Sequence, residues 1–309
     1  MKLLGEGMRK KWLVIGCAVV AVSILLFAAS IKIASKILGE NPHLAVGSGV
    51  GMIEVKGLIV DPQETVKQLH TFAKDDRVKA IVLRIDSPGG VVGPSQEIYE
   101  EVKKVSAKKK VVVSMGSIAA SGGYYIAVPA QTIYANPGTI TGSIGVLMKF
   151  TNFEGVMDKV GMRAFTLKSG KFKDVGSPLR PMSEEDRAML QGVIDSTYGQ
   201  FVKAVAEGRK MPVEEITRIA DGRILTGEQA KAAKLVDKLG TLQDAIAEAG
   251  RLAGIKEEPQ VIYPPKKKRH FLDLLVEESA VQIGNMVRRD GNLRGNGFSL
   301  NYELNGIDQ

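Results

Sequence analysis

With 309 residues, 44% of them hydrophobic, the chain has ample material for one large domain or two small ones around an apolar core. The formal charge of +8 is concentrated in two segments: residues 1–36 hold six Lys or Arg against Glu6, and Lys266-Lys267-Lys268-Arg269 adds four more, so the remainder is close to neutral. Segments of this kind meet anionic lipid heads; without interleaved basic and aromatic residues they argue against nucleic acid, and the single Cys17 excludes an intrachain disulfide or a multi-cysteine metal site.

After a basic N-terminus over residues 1–11, residues 12–31 run for about 20 positions without a charge, the length that crosses a bilayer. Arg9, Lys10 and Lys11 precede this run and Lys32 and Lys36 follow it, which favours a cytoplasmic N-terminus and an extracytoplasmic remainder. The run is longer than the about 7–15 apolar residues of a cleaved signal peptide, so an uncleaved anchor is expected in preference to cleavage near Ala28-Ala29-Ser30. Val14-Ile15-Gly16-Cys17 matches a lipoprotein cleavage box superficially, but the long apolar segment follows it, and Cys17 is read as a bystander in the membrane helix. Residues 32–50 form a polar, Gly-containing linker.

From residue 51 the pattern alternates between α and β. Strands are expected at 52–55, 58–60, 79–85, 111–115, 131–135 and 144–149, and helices at 62–75, 94–106, from Ser183 past Val205, at 226–234 and at 242–253. Ser183 with Asp186 reads as a capping box. Asp86-Ser87-Pro88-Gly89-Gly90 reads as a turn that ends a strand, and residues 136–143 as a polar loop. Strand, Gly-rich turn and helix in repetition argue for parallel βαβ units with ligands at the C-terminal strand ends. The folded domain spans 51–263. Beyond Pro264-Pro265 lies a basic tail over 264–309, with an amphipathic stretch at 271–288 and a disordered, Gly- and Asn-rich end.

Ser121 is the candidate nucleophile. It follows the Val111-Val112-Val113 run and opens the small-residue stretch Gly122-Gly123, which puts a hydroxyl at a strand-to-helix turn with free N–H groups nearby. Such a serine needs a base. His43 lies just past the anchor, His70 on an amphipathic helix and His270 in the basic tail; none adjoins a Gly-rich turn at a strand end. A Ser-His-Asp triad is therefore disfavoured, although chain order does not exclude one. A lysine can replace histidine once it is neutral, which requires its pKa to fall from about 10.4 through burial or neighbouring cations. Lys168, Lys171 and Lys173 lie close together, so like-charge crowding would help, but by spacing alone they read first as a solvated basic loop.

Five segments, in order, resemble the signal peptide peptidase A family, membrane-anchored Ser-Lys peptidases of the ClpP/crotonase superfamily. They are Arg84-Ile85-Asp86-Ser87-Pro88-Gly89-Gly90, Ala120-Ser121-Gly122-Gly123-Tyr124-Tyr125, Gly138-Thr139-Ile140-Thr141-Gly142-Ser143-Ile144-Gly145-Val146, Lys168-Ser169-Gly170-Lys171-Phe172-Lys173-Asp174 and Gly222-Arg223-Ile224-Leu225-Thr226-Gly227-Glu228-Gln229-Ala230. The resemblance covers residues 50–255 and matches the short, single-domain form. It implies an α/β fold of repeated ββα units behind an N-terminal transmembrane helix. It assigns Ser121 as nucleophile, Lys173 as general base, Ser143 as a hydroxyl that positions the lysine, and Gly89, Gly90 and Gly122 to the oxyanion region. It implies no metal or cofactor, remnant signal peptides or other apolar peptides as substrates, membrane lipid as surroundings, and a homo-oligomer, octameric in the short form, in which nucleophile and base can come from neighbouring protomers. Asp86, Ser87 and Tyr124 are read as turn-forming and packing residues. Two alternatives stay open: a crotonase-like acyl-CoA enzyme, and a non-catalytic membrane scaffold of the same fold.

Overall fold

The apolar runs at 78–87 and 110–120 become the central strands of a largely parallel sheet. The structure, a computed structural model, describes residues 48–265 together with 22–24, 26 and 301–303. In chain order β1 (Gly49–Lys56), α1 (Gln63–Lys74), β2 (Val78–Ser87), β3 (Gly89–Val91), α2 (Val92–Ser106), β4 (Lys110–Ala120), α3 (Gly122–Ala127), β5 (Thr132–Ala135) and β6 (Ile140–Gly142) build the first half. Then come α4 (Glu154–Lys159), α5 (Glu184–Arg209), α6 (Val213–Ile219), β7 (Ile224–Thr226), α7 (Gly227–Ala232), β8 (Lys238–Leu239), α8 (Leu242–Leu252) and β9 (Gln260–Ile262). The sheet runs β7-β6-β4-β2-β1-β9, with β5 also on β4 and β8 on β5; β6 and β7 pair antiparallel and the other neighbours parallel.

Both faces of this sheet are covered, which explains why β2 and β4 read as continuous apolar runs instead of alternating ones. Ile53, Ile81, Leu83 and Val113 point to the side packed by Phe72 of α1, Val102 of α2, Tyr124 of α3 and Phe201 of α5. Met52, Val82 and Val112 point to the other side, against Ala245, Ile246 and Ala249 of α8. The expected capping box at Ser183 and Asp186 is present, and Thr226 with Gln229 and Thr241 with Asp244 form two more.

Several expectations are corrected. The segment read as a terminating turn stays in sheet: β2 continues to Ser87, and after Pro88 the chain re-enters as β3, with α2 starting at Val92. The expected polar loop contains β6, because the buried Thr139 and Thr141 hydroxyls donate to carbonyls of β4 at Gly116 and Ala119, 2.7 Å each. No regular strand forms at 144–149, since Gly142 (φ +75°) and Ser143 (φ +51°) turn the chain aside. Of 58–60 only the buried Ile59 bridges, to Gly90, while Leu58 and Val60 are exposed. At the far end Asn301–Glu303 is no coil but β10, antiparallel to β3. The anchor expected over 12–31 lies, apart from the helical positions 22–24 and 26, outside the described residues, as does the amphipathic stretch at 271–288. Among the described residues no helix is long and apolar enough to cross a membrane.

Phe201 ties α5 to the helix behind Ser121: it is fully buried and meets the Tyr125 ring edge-on, centroids 4.9 Å apart. Phe201→Ala is expected to lower unfolding free energy by about 3–5 kcal/mol, read from urea denaturation.

Candidate active site

Strand β4 delivers Ser121 into an unusual backbone conformation, φ 53° and ψ −118°. A non-glycine residue held at positive φ stores strain of about 1–3 kcal/mol and persists only where its surroundings fix it. Here the Ser121 N–H donates to the Gly142 carbonyl at 2.8 Å, and the Ser121 carbonyl accepts the Tyr125 N–H at 2.8 Å. The whole of α3 is buried behind it. Gly123 sits so close to β2 that a Cβ would stand 2.7 Å from the Ser87 carbonyl oxygen, so the elbow needs glycine there. Tyr124 anchors α3 by donating its hydroxyl to the Leu235 carbonyl at 2.9 Å, and complete burial pushes its pKa up. Ser121 itself is only 1% exposed. The Gly122 N–H opens α3, where first-turn N–H groups have no intrahelical acceptor.

The two glycines after Pro88 differ. The Gly89 N–H (φ of the residue +110°) is taken by the Ser87 hydroxyl at 3.1 Å. Ile59 donates to the Gly89 carbonyl and accepts from Val91, 2.8 Å each, so the N–H and C=O of Gly90 face the opposite edge of β3. Along that edge β10 lies antiparallel, with Tyr302 paired to Gly90. A Cβ at Gly90 would stand 2.2 Å from the Ile59 carbonyl oxygen. Ser143 is buried, holds φ +51° and donates its N–H to Arg223 at 2.8 Å, one residue from the carbonyl that anchors Ser121.

Lys173 lies on an exposed stretch between β6 and α5. Asp174 organises it: its carboxylate receives Lys168 at 2.5 Å and Arg180 at 2.9 Å, and Arg180 also binds Asp186 of α5 at 2.6 Å. Lys171 pairs with Glu185 at 2.5 Å. Lys173 is exposed, and among the described residues its ammonium takes part in no ion pair or hydrogen bond. No hydrogen bond joins it to Ser121 within the single chain. The structure thus brings Ser121, Gly122 and the Gly142-Ser143 corner together on one scaffold and leaves Lys173 on another. Pattern reading missed Thr139, Thr141 and the Arg180 clamp; alternate hydroxyls at 139, 141 and 143 were the available signal for β6.

Comparison with known proteins bears on this site directly. The sequence pattern of peptidase family S49 matches residues 103–256, which include Ser121 and Lys173, and that of the Clp protease family matches residues 59–138. A Synechocystis sp. protein that bears a protease name is 47% identical over 222 residues, covering 70% of this chain and 80% of that protein. The chain belongs to peptidase family S49. An Enterococcus faecium protein named for signal peptide peptidase SppA is 35% identical over 235 residues, 72% of this chain and 67% of that protein. A Methanocaldococcus jannaschii protein with a protease name is 37% identical over 280 residues, 86% of this chain and 90% of that protein. The chain is accordingly a serine peptidase of the S49 family with a ClpP-like α/β fold.

The Asp174–Arg180–Asp186 clamp gives this S49 peptidase an acid-sensitive loop. Hydrogen bonds from Arg180, ahead of those from Lys168, hold the Asp174 carboxyl far below its usual range, and Arg180 holds Asp186 down at about 2 against an ordinary 3.8. Carboxylates with depressed folded-state pKa values stabilise the fold above their unfolded pKa, and that contribution is lost as pH falls through the folded value. The stability from this clamp is therefore present above about pH 4 and disappears toward pH 2. Arg180→Met is expected to be less stable than wild type at pH 7 and to show a shallower decline between pH 4 and pH 2, in urea midpoints measured across that range.

Proposed function

We propose that this chain is a membrane-anchored endopeptidase in which Ser121 is the nucleophile and Lys173 the general base, and that it degrades remnant signal peptides after their release. The anchor spans residues 12–31, the peptidase domain 51–263 lies outside the cytoplasm, and the basic tail 264–309 meets anionic lipid. The observation that carries the reading is the strained, sheet-supported Ser121 at the start of α3. Strain of this kind aims a side chain out of a turn, and the adjoining Gly122 N–H faces a developing oxyanion. Edge β3 supplies the second element. It already accepts an extended segment of this same chain in antiparallel pairing, which is how a peptide substrate adds to a sheet edge.

In this reading neutral Lys173 removes the Ser121 proton as Oγ attacks the peptide carbonyl. The C–N bond breaks, the lysine returns the proton to the leaving amine, and an acyl-enzyme remains until water, deprotonated by the same lysine, releases it. Gly122 is the oxyanion donor best disposed for the role, since the Gly89 N–H is engaged by Ser87 and the Gly90 N–H faces β10. Ser143 supports the lysine. The base reaches the nucleophile from a neighbouring copy in a homo-oligomer: Lys173 is unpaired in the single chain, and the loop that bears it exposes Phe165 and Leu167 at 89% and 92%. Exposed apolar side chains beside an unpaired cation suit an interface that covers both.

A fluorophosphonate probe is expected to label the wild type and not Ser121→Ala. Mass spectrometry of a mixture of signal peptides should show internal cleavage by the wild type alone; intact peptides would remove this substrate class. Ser121→Ala and Lys173→Ala, each inactive, should regain activity when their oligomers are mixed, because one chain supplies the serine and its neighbour the lysine. No recovery after verified subunit exchange would place both groups in one chain.

A further inference from the structure

Asp86 lies at a discontinuity in the sheet that leads to Ser121. Up to Ile85, opposite Met115, β2 and β4 pair residue for residue, and the next pair is Ser87 with Ala119. Gly116, Ser117 and Ile118 therefore stand against Asp86 alone, as a bulge in β4. The bulge closes around the Asp86 carboxylate. Oδ1 accepts the Ile118 N–H at 3.1 Å. Gly116 packs so tightly on this group that a Cβ would stand 2.7 Å from Cγ and 2.9 Å from Oδ1. From the other side, the buried Thr139 hydroxyl donates to the Gly116 carbonyl at 2.7 Å.

The bulge changes the partner of β4. Before it, residues 112–114 pair with β5; after it, residues 118–120 pair with β6. Only the second pairing sets the Ser121 N–H on the Gly142 carbonyl at 2.8 Å, with the Thr141 hydroxyl on the Ala119 carbonyl at 2.7 Å. Arg84 donates to Ser114 Oγ and the Met115 carbonyl, just ahead of the bulge, and Lys56 lies opposite Asp86 on β1.

We propose that Asp86 is a positioning residue for the nucleophile: its carboxylate oxygen, acting as an acceptor, holds the bulge that turns β4 from β5 to β6 and so sets the backbone of Ser121. The inference rests on the assignment of Ser121 as nucleophile. Asp86 exchanges no proton and touches no reacting atom. Its partner is a neutral backbone N–H, so the acceptor matters and the charge does not.

The test measures the second-order rate of fluorophosphonate modification, kcat and KM on a peptide, the pH profile and the melting temperature in the full chain. Asp86→Leu should slow modification on the order of 10²-fold, the loss expected when a reacting atom moves by about 1 Å. The loss should fall on kcat with KM and the pH profile unchanged. Asp86→Asn keeps an acceptor oxygen and should retain most of the rate. A wild-type rate in Asp86→Leu overturns the proposal, as does an equal loss in Asp86→Asn, which would assign the effect to charge. If Asp86→Leu does not fold, Thr139→Val carries the test from the other side of the bulge: slowed modification with lowered kcat supports the proposal, and a wild-type rate overturns it. Persistent labelling of Ser121→Ala would instead remove the nucleophile assignment.

Discussion

The left-handed backbone of Ser121 is the constraint around which the rest of this fold is arranged. A serine does not rest at φ 53° in an unfolded chain, so the surroundings must hold it there continuously. They do so through the Gly142 carbonyl on one side and the buried α3 on the other. Both supports depend on a sheet whose central strand changes neighbours part-way along its length. The corner at Gly142 and Ser143 is itself left-handed, so the two strained turns face each other across one backbone hydrogen bond. Neither turn has the same geometry without the other.

The two halves of the candidate site are stabilised by different physics. Ser121 stands on close-packed apolar layers, with Tyr124, Tyr125 and Phe201 behind it. Forces of that kind respond little to salt or mild acid. Lys173 stands on an exposed loop held by Asp174, Arg180, Asp186 and the flanking lysines. Ion pairs of this kind weaken with ionic strength and with protonation. A catalytic step that needs both halves inherits the weaker constraint, which belongs to the loop.

Edge β3 flanks this arrangement and is covered by a segment of the same chain. One of its sides is satisfied by Ile59, and on the other the donor and acceptor of Gly90 face Tyr302 of β10. An edge of so few residues pairs with one short extended segment and is too short to recruit strands indiscriminately.

Much of the scaffold was legible in sequence. The runs at 79–85 and 111–113 could only be buried strands, the hydroxyl and acid or amide pairs at Ser183 and Thr226 could only begin helices, and Ser121 fell at a strand-to-helix turn by the order of its neighbours. These features are local: hydrophobic period and capping chemistry act within a few residues. The tertiary structure alone decided that β2 reaches Ser87, that residues 140–142 form a strand, and that Asp86 sits inside a bulge. In each case the deciding partner lies more than twenty residues away, as Ile118 does from Asp86 and Gly116 from Thr139. A polar side chain declares in sequence that it needs a hydrogen bond. Which distant backbone group provides it, and what geometry that bond then imposes on Ser121, is settled only when the strands are side by side.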